Sequence, residues 1–394
     1  MKTRKLFLFA ILAAVLVLSA CQQQPQQPVI QTVEVPVEKV VKETQIVEKT
    51  VVETQVVEVE KEGAVTMGFA APALYGGQKM IEDNFSLYAN QKGWAVLTTN
   101  ANADPQKQNN DIDYLLSLGV DAIVTVPEDS TGICTAVEKA NAAGVPFFTI
   151  DRSPAGCQIA MTVLSDNRLA GQQAGQQMVD ELTEKYGEAK GKVLEVTGNL
   201  GQNVGQLRRD GFHDILDTYP NIEVIQKVGD WDAAKGQQIV LDVLTANPDI
   251  DGIYMHSDNV YGPGTVAALE QLGKFAKRGE AGHIFMTSVD CGPWALGSIW
   301  DGVHDGCGSQ PVSDFGIVVD WVDTVLNGGT IEEGEVVREG AVWSPANVIM
   351  NADGTMELFL ATTLVNKENI QDPAIWTNMD KNGAPPADHP AYEK

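Results

Sequence analysis

Basic residues are scarce in this chain. Lysine and arginine number 27 against 53 aspartates and glutamates, a formal charge of −26. Such a surface repels nucleic-acid phosphates and an anionic membrane face, so charge-driven binding to either is excluded. Catalytic signatures are missing too. There is no G-x-S-x-G elbow, no P-loop, and no CxxC or HxxxH spacing for zinc. The five histidines form no constellation. No cofactor and no metal site is expected. What remains is an ordinary soluble composition, 44% hydrophobic, in 394 residues, enough for one large or two medium domains.

The N-terminus reads as a processing segment. Lys2, Arg4 and Lys5 precede an apolar run over 6–17 that is too short for a transmembrane helix. Leu18-Ser19-Ala20-Cys21 follows and resembles the lipobox of bacterial lipoproteins. In those, the cysteine is lipidated and becomes the first mature residue. The expectation is a signal peptide over 1–20 and a lipid anchor at Cys21, at the outer face of the cytoplasmic membrane. Residues 22–31 are rich in Gln and Pro, and 32–62 repeat valine pairs among Glu, Lys and Thr. Their spacing drifts around five and fits neither a heptad nor a strict alternation, so 21–63 is expected to be a flexible, lipid-anchored stalk. Four further cysteines, Cys134, Cys157, Cys291 and Cys307, allow three pairings in an oxidising compartment. The local pairs 134–157 and 291–307 each span neighbouring βα units.

From residue 64 the pattern changes. Apolar β-branched runs near 64–69, 94–99, 120–126 and 145–150 alternate with helical periodicity. A second series has strands near 192–197, 222–228, 252–256 and 284–289, again with helices between. Strands and helices alternating at this length argue for parallel sheets with right-handed crossovers, in two Rossmann-like lobes. Asp166 or Asn167 is expected to cap one helix, and Asp258 or Asn259 another. Segments near 303–310, 314–326, 336 and 348 are expected to return and complete both sheets.

Polar residues gather just past the strand ends, where open α/β sheets bind ligands. The run 145–150 ends in Asp151-Arg152 and a Ser-Pro turn. The second half supplies Arg208, Trp231, Ser257, Asp258, Asp290 and Gln310. Carboxylates and guanidiniums appear in balance, which suits the vicinal hydroxyls of a neutral polyol. An aromatic such as Trp231 can cover the apolar face of a sugar ring.

Residues 64–350 resemble the periplasmic substrate-binding proteins of the ribose/galactose type, which feed ABC importers. Thr149-Ile150-Asp151-Arg152 matches the family's hydroxyl-binding Asp-Arg pair. Ser165-Asp166-Asn167 with Ala170-Gly171 matches its first interlobe crossover, and Arg208-Arg209-Asp210-Gly211-Phe212 its R-x-x-G-F segment. The resemblance implies the periplasmic binding protein type I fold, with lobes over 64–165 plus 311–345 and over 166–310 plus 346–394. It implies Asp151, Arg152, Arg208, Trp231, Asp290 and Gln310 as ligand residues, with Ser257 and Asp258 beside them. The family's aromatic first loop is replaced by Ala71-Pro72-Ala73-Leu74-Tyr75, leaving Tyr75 and Phe69 as wall candidates. A Cys291–Cys307 bridge would brace the wall carrying Asp290 and Gln310.

The function so implied is a monomeric binding module that closes on a sugar by hinge bending and presents it to a membrane permease. A sensor that docks on a chemoreceptor or sensor kinase shares the same site. A glycosidase using Asp151 and Asp290 is the enzymatic alternative. It is disfavoured because Arg152 is expected to hold Asp151 ionised. A transcriptional regulator is excluded by the export signal and the absence of an N-terminal DNA-binding helix pair.

Overall fold

The computed structural model describes residues 65–74 and 76–378. The expected signal peptide, the expected lipidation site Cys21, the expected stalk, Tyr75 and the end of the tail lie outside the described residues. Among those described, no helix is long and apolar enough to cross a membrane.

Two sheets, each covered by helices, build two lobes. The first sheet opens with β1 (Thr66–Ala71), β2 (Ala95–Asn100), β3 (Ala122–Thr125), β4 (Phe147–Ile150) and β5 (Met161–Ser165), all parallel. β3 and β4 are buried along their full length, as expected of continuous apolar runs inside a doubly covered sheet. The second sheet holds β6 (Gly191–Thr197), β7 (Ile222–Val228), β8 (Gly252–Met255), β9 (Phe285–Asp290) and β10 (Gly306–Ser309), also parallel.

Several of the intervening helices start at a side-chain cap. Asp104 accepts hydrogen bonds from the Gln106 and Lys107 amides, ahead of Pro105 at the first helical position. Asp166 caps the helix Asn167–Tyr186 through the Leu169 amide, and Gly187 ends that helix at φ 73°. The cap of the helix Asp258–Gln271 is Ser257, not Asp258 or Asn259 as the sequence suggested. The Ser257 hydroxyl accepts from the Val260 amide at 3.3 Å.

The chain passes between the lobes three times. β5 leads into the second lobe at Asp166. β10 returns through Gln310 to a 3-10 turn, Val312–Ile317, and the helix Val318–Leu326, which pack into the first lobe's core. The last passage corrects the expected boundary at 346. β11 (Gly334–Val336), β12 (Ala346–Met350) and β13 (Met356–Leu360) all join the first sheet, in the order β11-β12-β13-β5-β4-β3-β1-β2. β13 pairs in parallel with β5, and Ala346, Val348, Leu358 and Leu360 are buried in that core. The third crossing follows at 361–362, before β14 (Thr363–Val365) pairs with β10 at the edge of β14-β10-β9-β8-β6-β7.

Both local disulfides, Cys134–Cys157 and Cys291–Cys307, are formed. They close spans of 23 and 16 residues. In the chain-entropy view each such loop stabilises by about 3 kcal/mol.

Candidate functional site

The carboxyl ends of the two parallel sheets face one cleft, which encloses about 420 Å3. Its second-lobe floor is a connected polar array centred on Arg208, in the helix Asn203–Leu216. Arg208 is buried, and its Nε donates to Asn167 Oδ1 at 2.8 Å. Its Nη1 lies 3.0 Å from Asp290 Oδ1 and also donates to the His256 carbonyl. The other Asp290 oxygen accepts from the Ser257 hydroxyl at 2.5 Å. Gln310, at the second crossover, donates to the same Asn167 Oδ1 at 3.2 Å. Asn167 thus joins two hinge segments to the guanidinium.

A buried carboxylate underlies this floor. Glu195, on β6, accepts from His256 Nε2 at 2.9 Å, His213 Nε2 at 3.1 Å and Gln226 at 2.8 Å. Burial alone would raise the Glu195 carboxyl, but the hydrogen bonds from His213 and His256 bring it down to about 2. The bond to Glu195 raises His213 to about 9, while burial lowers His256.

Trp231 forms a side wall. Backbone in the left-handed region, φ 55° at Asp230 and 57° at Trp231, turns the indole into the cleft. The ring lies 5.7 Å from the Arg208 guanidinium and donates to Gln202 Oε1 at 2.6 Å. Gly198 makes room for it, since a Cβ there would fall 1.9 Å from the indole.

The first lobe is tied together less tightly. Asp151 follows β4 at φ 64° and accepts from Gln78 Nε2 at 3.1 Å. The nearest Arg152 nitrogen stands 3.7 Å from it, because Arg152 donates instead to the Pro127 carbonyl at 3.1 Å and Glu128 at 3.3 Å. Burial therefore prevails and raises the Asp151 carboxyl, against the pull of Arg152 and Arg208. The Arg152 guanidinium does pull the carboxyl down, as the sequence suggested, but burial outweighs that pull. Two hydrogen bonds cross the cleft directly, from Gln202 to the Glu128 carbonyl at 2.9 Å and from Asn203 to the Ser153 hydroxyl at 3.0 Å.

Asp151, Arg152, Arg208, Trp231, Ser257, Asp290 and Gln310 all line the cavity. Asp258 does not. It is fully buried and accepts from Ser288, from the Cys291 amide and from the Gly292 amide, each within 2.9 Å. It shapes the turn carrying Asp290, and burial with the nearby Asp290 charge raises its carboxyl. Phe69 is no wall either, being buried in the first lobe's core and stacked on Phe85 at 5.0 Å.

Sequence reasoning missed Gln78, Glu128, Gln202 and Trp376, which also line the cleft. Gln78 sits just after the Ala-Pro-Ala loop, in the first turn of the helix Gly76–Gln91, a position that could have drawn notice. Nothing local marked Trp376, at the start of a one-turn 3-10 helix in the tail.

Two α/β lobes joined by three crossings, with polar side chains from both facing one cleft, define a hinged solute-binding protein. The periplasmic binding protein domain matches residues 72–329, and the chain belongs to that family. It is 32% identical over 247 residues to the ribose import binding protein of Bacillus subtilis, covering 62% of this chain and 76% of that one. The Escherichia coli ribose import binding protein is 27% identical over 194 residues, 49% of this chain and 64% of its own length. A solved Mycobacterium smegmatis ABC transporter solute-binding protein with bound glycerol is 26% identical, at a TM-score of 0.66, over 78% of this chain and 96% of that one.

Proposed function

We propose that this chain is the solute-binding component of an ABC importer and takes one neutral monosaccharide or polyol into its interlobe cleft. One observation carries the reading. Three cleft residues hold a buried polar atom with no hydrogen-bond partner in the protein: Gln78 Oε1, Gln310 Oε1 and Arg152 Nε. Two are acceptors and one is a donor, in a site where charges of both signs are already paired. A buried polar atom left unpaired costs about 1–3 kcal/mol. Hydroxyl groups donate and accept at once, so a polyol satisfies all three without bringing a net charge.

In this reading Asp151, Arg152, Arg208, Asp290 and Gln310 hold hydroxyls, Ser257 supports Asp290, and Trp231 covers a C–H face. Relatives whose names state ribose, D-apiose and xylitol binding support a small neutral ligand. Ligand contacts to both lobes favour the closed form, which a membrane permease then recognises. Lipidation at Cys21, with 21–63 as spacer, would keep this monomeric receptor beside its permease outside the cytoplasmic membrane. No catalytic step is assigned, in keeping with a family of binding proteins.

Isothermal titration against pentoses, hexoses and polyols tests the proposal. Saturable one-to-one binding of at least one is expected, and heat from none of them would discard it.

A further inference from the structure

Aromatic surface in the cleft is unevenly supplied. Pro72 and Ala73 of the first loop and Gly77 at the start of the following helix line it and offer no aromatic ring. Among the described lining residues the two aromatics are Trp231 and Trp376. They stand at opposite sides. Trp231 follows β7, while the Trp376 indole donates to the Asp290 carbonyl at the end of β9, at 2.8 Å. The sheet order β9-β8-β6-β7 separates those strand ends by three spacings, about 14 Å. The Arg208–Asp290 pair belongs to the floor between them.

The tail that delivers Trp376 is built to hold it. Asn378 folds the segment on itself by donating to the Ile370 carbonyl at 2.9 Å and the Asp372 carbonyl at 2.8 Å. Ile370 and Ile375 pack against Cys291 and Cys307 in one apolar cluster. The Thr377 hydroxyl donates to the Cys291 carbonyl. The indole is 2% exposed and packs with the first lobe's core, although its hydrogen bond goes to the second lobe.

We propose that Trp376 is a specificity-determining ligand wall supplied by the C-terminal tail, and that the Cys291–Cys307 disulfide is the platform that positions it. The inference rests on the polyol-binding reading and names the residue that sets which polyol fits. A π-face at this edge favours ligands presenting a C–H face to β9 while their hydroxyls meet Asp290 and Arg208. Without the tail, no described residue lining the β9 side of the cleft would supply an aromatic ring.

The test is calorimetric titration of the full chain in detergent with ribose, arabinose, xylitol and myo-inositol. Trp376→Leu keeps apolar bulk in the core but removes the ring, and Trp376→Phe keeps a ring but removes the hydrogen bond to Asp290. We expect Trp376→Leu to weaken the tightest ligand about tenfold or more and to change the affinity order across the panel. Trp376→Phe should stay within about threefold of the parent with the order retained. The Cys291→Ser/Cys307→Ser double variant should shift affinity in the same direction as Trp376→Leu, by a smaller factor. Melting of each variant without ligand separates loss of fold, which would lower all affinities together without reordering them. An unchanged order and affinity in Trp376→Leu overturns this inference alone. Failure of the parent chain to bind any of the four removes the polyol reading for this panel, and the inference with it.

Discussion

The two lobes present charged pairs of the same kind in different states of readiness. In the second lobe Arg208 and Asp290 meet at 3.0 Å, and Asn167, Ser257 and the His256 carbonyl fix their remaining valences. In the first lobe Asp151 and Arg152 are 3.7 Å apart, and Arg152 Nε makes no hydrogen bond within the protein. The second lobe's pair is held by its neighbours, whereas the first lobe's leaves a buried donor unbonded, which in the proposed reading a ligand takes up. That division suits a hinged receptor. A rigid half fixes ligand orientation at low entropic cost, and the half that completes its hydrogen bonds on closure couples binding to motion.

The sharpest way to break this comparison is to remove each arginine or carboxylate in turn. Arg208→Ala should abolish ligand binding and also destabilise the unliganded protein by about 3–5 kcal/mol, because Asp290 would be left without its counter-charge. Urea unfolding checks this, and an unchanged midpoint would mean the platform is not prebuilt. Asp151→Ala should cost about 2–4 kcal/mol of binding while shifting unliganded stability by less than about 1 kcal/mol. Loss of folding in that variant would make the Asp151–Arg152 pair structural and erase the contrast between lobes. Trp231→Ala should weaken binding by about tenfold, since truncating a buried aromatic anchor at a binding surface commonly costs more than about 1 kcal/mol. A calorimetric titration giving parent-like affinity would take Trp231 out of the ligand wall.

A further expected effect concerns pH and bears on the second lobe alone. The folded pKa of His213, about 9, lies above its ordinary 6.5. Its stabilisation is therefore complete below about 6.5 and is lost as pH rises through about 9. Glu195, at about 2 against an ordinary 4.5, contributes above about 4.5 and loses its contribution as pH falls through about 2. Both shifts describe one shared interaction and do not add. Chemical unfolding between pH 6 and pH 9.5 should show second-lobe stability declining, and Glu195→Gln should flatten that slope. An equal slope in the variant would assign the alkaline loss elsewhere.

Much of the cleft lining was legible because most of its polar carriers follow strand ends. An apolar run that stops in Asp151-Arg152 announces both the strand and its polar end. Arg208 ends no strand but lies within a helix, and the R-x-x-G-F segment of the resembled family marked it; Gly211 is a point where helix backbones meet, since a Cβ there would fall 2.0 Å from the Arg168 carbonyl. Asp258 misled for a physical reason. A carboxylate following a strand looks alike in sequence whether it faces a ligand or satisfies the Cys291 and Gly292 amides. The boundary at 346 failed because alternating residues in 346–360 name a half-buried strand but not the sheet that receives it.

By itself the sequence determined the two α/β series, their strand ends, the acidic exterior and the Asp-Arg and R-x-x-G-F segments. Those features depend on local period and on neighbours within a few residues. The tertiary structure alone decided which sheet took β12 and β13, which lobe held its charges ready, and where Trp376 went. Each of these is a contact between segments far apart along the chain, as when the Trp376 indole meets the Asp290 carbonyl across 86 positions. No local pattern encodes such a meeting, because it is fixed only when the apolar faces of both lobes are buried together.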